Sequence, residues 1–370
     1  MLNMKNQRQI GIIGGGASGV FAAIRIKENH PSYQVTIIER NDQLLKKILV
    51  TGNGRCNYAN TGDTKDKYHN DAFAQRILSY LPAFSLINKL EEYGVHPYQI
   101  DDLVYPTSLS AQTVVFLLLK RLEELNIRCI TNEQFVDYEI KDEQFIVETN
   151  KNHYQFDQLI IACGGQAYPQ LGTDGSVFNI LKKHHYHIVP LSPSLCPIKV
   201  YENTKKIAGL RCKCLVNLYE QKQLYYQEEG EVLFKDDGLS GIVILNMSQK
   251  INTLENKKDI QIVLDLIPHK KNIAPEQYIE YVHPKIAQYL LSNHLDIKAV
   301  TFNFKDFYPF NVAEVSSGGL DINEINNRLE SNKEKGLYFI GEALDVDAMC
   351  GGYNLMFAFA SGELVSQEVK

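Results

Sequence analysis

Apolar residues run together from Ile10 to Ile13 and again from Val35 to Ile38, and between them Ala17 to Asn29 spaces its apolar and small positions for a helix. The two runs read as buried strands, residues 9–13 and 34–39. His30-Pro31 stops the helix, because proline disfavours helical geometry in the residue before it. Strand, helix, strand within about 30 residues is a βαβ unit and implies a parallel sheet.

Helical patterns follow over residues 71–93 and 111–126, separated by an irregular stretch holding Val104-Tyr105-Pro106. From Ile127 the period shortens. Residues 128–131, 135–140, 144–149 and 158–162 read as strands, the middle ones spaced tightly enough for a small antiparallel meander. Residues 176–185 read as a helix. Leu191 to Pro197 is punctuated by prolines and reads as a connector marking a domain boundary. Beyond it, residues 198–265 read as several strands with one short helix at 242–250. Residues 275–293 read as a helix with proline near its first turn. A buried strand over 337–341 and an apolar helix over 354–369 complete the pattern.

Composition narrows the class. The chain has 370 residues, 38 Lys and Arg against 44 Asp and Glu, and a net charge of −6. That length gives material for two or three domains, and the acid surplus argues against a surface that is basic throughout. The longest purely apolar run, Val114 to Leu119, is too short to span a bilayer, so no membrane partner is expected. The polar stretch Met1 to Gln9 has no signal-peptide pattern. Seven scattered cysteines without a Cys-x-x-Cys fit free thiols in a reducing cytoplasm, and no metal site is expected from their spacing.

Gly14-Gly15-Gly16-Ala17-Ser18-Gly19 places G-x-G-x-x-G between a strand and a helix. There Gly14 permits the tight turn, Gly16 lets the backbone approach a pyrophosphate, and Gly19 lets helix and strand pack closely. Glu39, at the end of the second strand, is placed to accept bonds from an adenosine ribose. The fingerprint serves FAD and NAD alike. A late strand ending in Gly341-Glu342-Ala343-Leu344-Asp345 favours FAD, since a carboxylate just past a strand end can bond flavin ribityl hydroxyls. Gly351-Gly352-Tyr353-Asn354 then opens a helix whose N-terminus would face the flavin N1 and C2 carbonyl. An ordinary buried helix behind a turn reads equally well from these residues alone.

Four blocks together resemble the bacterial NAD(P)/FAD-dependent oxidoreductases of the aminoacetone-oxidase and BaiN type. They are Gly11 to Gly19, Lys47 to Asn57 (KILVTGNGRCN), Cys163 to Pro169 with Gly172 to Gly175, and Gly341 to Asp347 with Gly351 to Leu355. The resemblance runs from about residue 10 to 365. It implies an α/β fold: a Rossmann-like, two-dinucleotide-binding FAD domain split by an inserted β-rich module with a small helical part. On this chain the FAD domain occupies 1–192 and 309–370, and the insertion 193–308.

Expected cofactor contacts come from Gly14, Gly16, Ala17, Gly19, Glu39 and Arg40 in the first block and its strand. Lys47, Gly54, Arg55, Cys56 and Asn57 supply them in the second, with Val136 and Gly164 in the middle of the domain. Gly341, Asp345, Gly352, Tyr353, Asn354 and Leu355 complete the set. Two departures stand out: Ala348-Met349 where the family often has glycine and a small residue, and Met356-Phe357 where it often has Gln-Trp. Both are expected beside the flavin pocket, where they bear on the substrate.

Arg55 leads the electrostatic candidates, able to hold a phosphate or an anionic substrate group; a surface arginine in a polar loop is the alternative. Lys47 could act similarly, although Lys46-Lys47 reads as well as a solvated pair. Tyr168 and Tyr353 are the candidate proton donors, or else pocket walls. Cys56 and Cys350 fit packing thiols better than a redox disulfide. The His184-His185-Tyr186-His187 cluster reads as a solvated helix end.

The leading functional reading is an FAD-dependent oxidoreductase, with NADH or NADPH as transient electron donor, reducing a polarised C=C bond in a small molecule. Oxidation of a small amine belongs to the same class. The alternative associated with the family is reduction of uridine to dihydrouridine in ribosomal RNA, which needs a local basic face. Lys182-Lys183, Lys205-Lys206, Arg211, Lys213 and Lys270-Lys271 are its candidates. The oligomeric state is left open.

Overall fold

The computed structural model describes residues 7–254, 257, 259–271 and 273–369; residues 1–6 of the polar N-terminal stretch lie outside it. The chain forms two units, one of residues 1–191 with 316–370 and one of residues 192–315.

The first unit opens with β1 (Gln9–Ile13), α1 (Ala17–Asn29) and β2 (Gln34–Ile38), followed by a kinked 3₁₀ segment, Lys46–Gly54. Next come β3 (Ala59–Asn60), α2 (Asp71–Leu78), α3 (Ala83–Glu92), β4 (Pro97–Ile100), β5 (Leu103–Pro106) and α4 (Ala111–Glu124). The pattern read as helical over 71–93 is therefore two helices. Pro82, which has no N–H to donate, caps the second and breaks the ladder. The segments β3, β4 and β5 form a small antiparallel sheet that short, mixed runs did not announce.

Then follow β6 (Arg128–Ile130), β7 (Phe135–Lys141), β8 (Gln144–Thr149), β9 (His153–Phe156), β10 (Gln158–Ile161) and α5 (Ser176–Lys183). The strands β7, β8 and β9 make the expected antiparallel meander. The chain leaves this unit along β11 (Ile188–Ser194), a strand where a connector was expected. Its prolines are tolerated because the sheet it joins has only two strands.

The second unit holds β12 (Ile198–Val200), β13 (Arg211–Glu220), β14 (Gln223–Lys235), β15 (Gly238–Ser240), α6 (Ile242–Asn252), β16 (Ile260–Asp265), α7 (Pro284–Ser292) and β17 (Val300–Phe307). Its six strands close into a barrel in the order β12-β15-β14-β13-β16-β17. Alternate residues of β13, among them Cys214, Val216 and Leu218, are buried, as period-two packing requires. The helix expected over 275–293 is instead a 3₁₀ turn, Pro275–Glu280, and a fresh start at Pro284. His283 caps that start by accepting from the Lys285 N–H at 3.2 Å.

The chain returns along β18 (Val315–Leu320), the partner of β11, and ends with β19 (Leu337–Phe339) and α8 (Tyr353–Glu368). The central sheet of the first unit runs β19-β10-β1-β2-β6, with every neighbouring pair parallel. From β1 the chain moves first toward β2 and β6 and later to β10 on the other side. The strand order thus reverses between β1 and β10, where open α/β sheets carry their ligands at the carboxyl ends.

Helix α8 is buried along most of its length, with Glu363 among its buried residues. A Cβ added at Gly362 would sit 3.0 Å from the Ser18 carbonyl, so α8 lies close on α1. Phe21 and Phe359 meet edge to face at 5.1 Å. Arg25 of α1 donates to Glu363 of α8 at 2.6 Å and pairs with Glu28, which also accepts from Arg121 of α4 and from the Tyr93 hydroxyl.

Candidate functional site

The carboxyl ends of β1 and β10 fix the first part of the site. Gly14 has φ +106, and a Cβ there would lie 2.4 Å from the Ala162 carbonyl beyond β10, so only glycine fits. At Gly19 a Cβ would meet the Gly14 carbonyl at 2.1 Å. At Gly16 it would meet no atom within 4 Å. Gly16 is the N-cap of α1 and gives no side-chain cap, and an uncapped helix N-terminus beside open space is an arrangement suited to an anion. Ala17 packs partly buried against the core behind them.

Glu39 is buried at the end of β2, accepting from the Gly15 N–H and the Asn41 N–H, each at 2.8 Å. Arg40 pairs with Asp174 at 2.6 Å, and Asn41 donates to the Leu171 carbonyl at 3.0 Å; both hold the loop after Tyr168. Tyr168 has φ +57 and is half-buried, its carbonyl accepting from the Leu171 N–H at 2.8 Å. Gly164 precedes it, packed near Thr173.

The Lys46–Gly54 segment brings its loop beside the last elements of the chain. Asn57 ties the two: with its amide turned so that both ends are satisfied, the nitrogen donates to the Ala59 and Val104 carbonyls and the oxygen accepts from the Gly352 N–H at 3.2 Å. Gly54 and Arg55 lie in that loop. The Arg55 guanidinium is exposed and lies over the Tyr105 ring at 5.1 Å. Lys47 is no solvated lysine; its Nζ is 2.7 Å from Glu342 Oε2. Glu342 Oε1 accepts from the Ser316 N–H at 2.8 Å, and Ser316 Oγ accepts from the Gln166 and Ala167 N–H groups. One chain of polar contacts thus joins three of the four sequence blocks.

The Gly341 N–H donates to Ser361 Oγ of α8 at 3.0 Å. Asp345, four residues on, is only 6% exposed. Its Oδ2 faces His69 Nε2 at 3.4 Å and Asn70 Nδ2 at 3.3 Å, while its Oδ1 is buried without a hydrogen-bond partner. Asn354 holds the turn before α8 by accepting from the Ala348 N–H and donating to the Ala348 carbonyl. Gly352, the N-cap of α8, again provides no side-chain cap. Tyr353 is buried, which raises its phenol pKa, and its hydroxyl donates to the Asp63 carbonyl at 3.2 Å. Leu355 packs on the core.

Val136 lies at the bulge in β7 and is 39% exposed. Ala348, Met349, Met356 and Phe357, the departures from the family pattern, are all buried, and the Met356 sulfur accepts from the Asn60 N–H. None of the seven cysteines is in a disulfide, and burial pushes the Cys56 thiol up to about 12. His184 is not a solvated helix-end residue: its ring stacks on Tyr138 at 4.0 Å and its Nε2 lies 2.8 Å from Asp137. Among the described residues no cluster of three or more His, Cys, Asp or Glu is placed to hold a metal ion. None of their helices is long and apolar enough to cross a membrane.

Sequence reasoning passed over His69 and Asn70. Ser316 and Glu342 stand in sequence motifs without a role of their own. No local signal marks His69 or Asn70, since their partner Asp345 lies far along the chain.

The fold is the Rossmann-type FAD-binding fold of flavin-dependent oxidoreductases. Residues 8–368 match the family described as HI0933-like protein Rossmann domain, and the chain belongs to that family. It is 29% identical over 401 residues to the 3-dehydro-bile acid delta(4,6)-reductase of Clostridium scindens, covering 97% of this chain and 98% of the relative. To the ribosomal RNA dihydrouridine synthase of Haemophilus influenzae it is 26% identical, covering 95% of each. The 3-ketosteroid-delta4-(5alpha)-dehydrogenase of Rhodococcus jostii RHA1 shares the fold. Its TM-score is 0.53 at 11% identity, over 99% of this chain and 97% of that one.

Proposed function

We propose that this chain binds FAD in the unit of residues 1–191 and 316–370 and reduces a polarised carbon–carbon double bond in a small molecule, with NADH or NADPH as electron donor. The observation that carries the cofactor assignment is Asp345, just past the 3₁₀ turn Gly341–Ala343 that follows β19, whose Oδ1 is buried with no partner and would be satisfied by a ribityl hydroxyl. Gly16 and the N-terminus of α1 suit the pyrophosphate, and Glu39 the adenosine ribose. Gly352 and the uncapped N-terminus of α8 suit the flavin pyrimidine edge. When bound, the flavin supplies hydride exchange at N5.

The protein's own part is to bind, orient and hold protons. Arg55, exposed on its loop, is suited to an anionic group of substrate or donor. Tyr353 keeps its proton, because burial disfavours the phenolate. Tyr168 is the second proton-donor candidate, held by the loop that Arg40 and Asn41 brace.

The choice of a small-molecule double bond rests on the relative of highest identity quoted above, which is named for reducing a bile-acid double bond. A second reading, uridine reduction in ribosomal RNA, is favoured by two relatives that carry that name. Charge weighs against it. The chain is acidic overall, and residues 192–315 contain equal numbers of basic and acidic residues. Of the basic candidates, Arg211 is paired with Glu231 at 2.5 Å, and Lys183 is 3.9 Å from Asp137.

Purified protein should be yellow and should bleach on anaerobic mixing with NADH or NADPH, its colour returning with an α,β-unsaturated ketone. Bleaching by a small amine instead, with peroxide released in air, would replace the reductase with an oxidase. Loss of dihydrouridine from ribosomal RNA on deletion of the gene would establish the RNA reading.

A further inference from the structure

We propose that His69 and Asn70 are positioning residues for the cofactor: together they hold one oxygen of Asp345 so that the other faces the ribityl chain. The proposal rests on the FAD reading above.

Neither residue belongs to a glycine-rich block, yet the backbone carries both to Asp345. Tyr68 and Ala348 form an antiparallel bridge. The Met349 N–H donates to the Lys67 carbonyl at 3.0 Å, and the His69 N–H donates to the Asp347 carbonyl at 2.7 Å. Residues 67–69 therefore lie as a short strand along 347–349 and deliver the imidazole to the carboxylate.

Asn70 gives the second observation. It is the N-cap of α2, where an asparagine side chain ordinarily accepts from its own helix and so stabilises it. Here it makes no cap bond. Its Nδ2 turns away to the Asp345 carbonyl at 2.7 Å and to Oδ2 at 3.3 Å. An N-cap that leaves its helix to brace a buried carboxylate, whose other oxygen has no partner, marks that carboxylate as needing a fixed orientation.

The chemistry gives His69 a further consequence. Its side chain is 30% exposed, so it exchanges protons with solvent. Asp345 raises its pKa above 6.5 by a hydrogen bond, burial opposes this, and Asp347 adds to the rise. Those two carboxylates face the imidazole from the 345–347 segment; on its own segment Lys67, Tyr68 and Asp71 flank it, with the Tyr68 hydroxyl turned to the Tyr353 carbonyl. A cofactor covering Asp345 removes its remaining water, and a buried carboxylate without a counter-charge is costly. FAD therefore binds more tightly while His69 is protonated, and by reciprocity bound FAD raises the His69 pKa further.

The test is titration of apoprotein, prepared from the purified holoprotein, with FAD between pH 5.5 and 9, followed by flavin fluorescence. In wild type the Kd should rise about tenfold with pH, equivalent to one unit of linked pKa shift. His69→Gln, which keeps a donor but cannot titrate, should flatten the profile. His69→Ala and Asn70→Ala should each weaken binding about tenfold at pH 6, with circular dichroism unchanged. A pH-independent wild-type Kd, shared by His69→Gln and His69→Ala, would overturn the proposal and leave FAD binding standing. Failure of the wild type to bind FAD at any pH would overturn the FAD reading itself. If His69→Ala does not fold, the pH profile of His69→Gln decides.

Discussion

Lys47 Nζ lies 2.7 Å from Glu342 Oε2, joining residues 295 positions apart in the chain. Both side chains are about one-fifth exposed, and Glu342 also holds Ser316 and through it the loop at Gln166. Removing the acid should therefore cost more than removing the base. Glu342→Ala is expected to lose roughly 1.5–3 kcal/mol, the range for a charged hydrogen-bond partner, and Lys47→Ala less. A double-mutant cycle in urea, with the pair coupled by at least about 0.5 kcal/mol, checks it.

The glycines at 16 and 19 should separate binding from folding. Gly19→Ala forces a methyl against the Gly14 carbonyl and should cost about 1–3 kcal/mol of stability, measured by chemical denaturation. Gly16→Ala meets nothing in the protein, so the apoprotein should melt as wild type does. Its FAD affinity should nonetheless fall at least about tenfold, because the methyl occupies the approach to the α1 N-terminus.

The acid limb of stability should pass through Glu28. Burial opposes ionisation there, but Arg121, Tyr93 and Arg25 outweigh it and hold the carboxyl below its ordinary 4.5. A carboxyl with a lowered folded pKa contributes stability that is complete above 4.5 and is lost as pH falls through the folded value. Glu28→Gln should be less stable at pH 7 by about 1.5–3 kcal/mol and should lose less between pH 5 and 3. Denaturant melts across that range measure both.

Cys56 should be chemically silent in the native protein. Its thiol, at about 12, has almost no thiolate at pH 8, so iodoacetamide should label it only after unfolding. Cys56→Ala should retain NAD(P)H-driven flavin reduction within a few-fold. Loss of reduction with FAD still bound would restore a redox role for the thiol.

Much of the glycine loop was legible because its causes are local. The turn at Gly14, the helix from Ala17 and the carboxylate at Glu39 all follow from short spacings within one βαβ unit. Tertiary pairing explains what escaped. Two-residue β3 and the wholly exposed β4 have no periodicity to read. Barrel closure depends on which strands meet, and Ile198 pairs with both Leu239 and Phe307 without any mark in the sequence. Pro82 and Pro284 were visible but lay inside patterns long enough to override them. His69 had no neighbour to announce it.

The placement of β18, β19 and α8 after the barrel has a consequence for synthesis. A nascent chain that has reached Leu191 has made β1, β2, β6 and β10, with the Gly14–Gly19 turn and Glu39. It still lacks β19 at the sheet edge, Asp345 and the N-terminus of α8, and 124 residues of barrel unit must emerge before they do. The ribosome thus delivers the two stretches of the first unit at different times, and its central sheet is completed last.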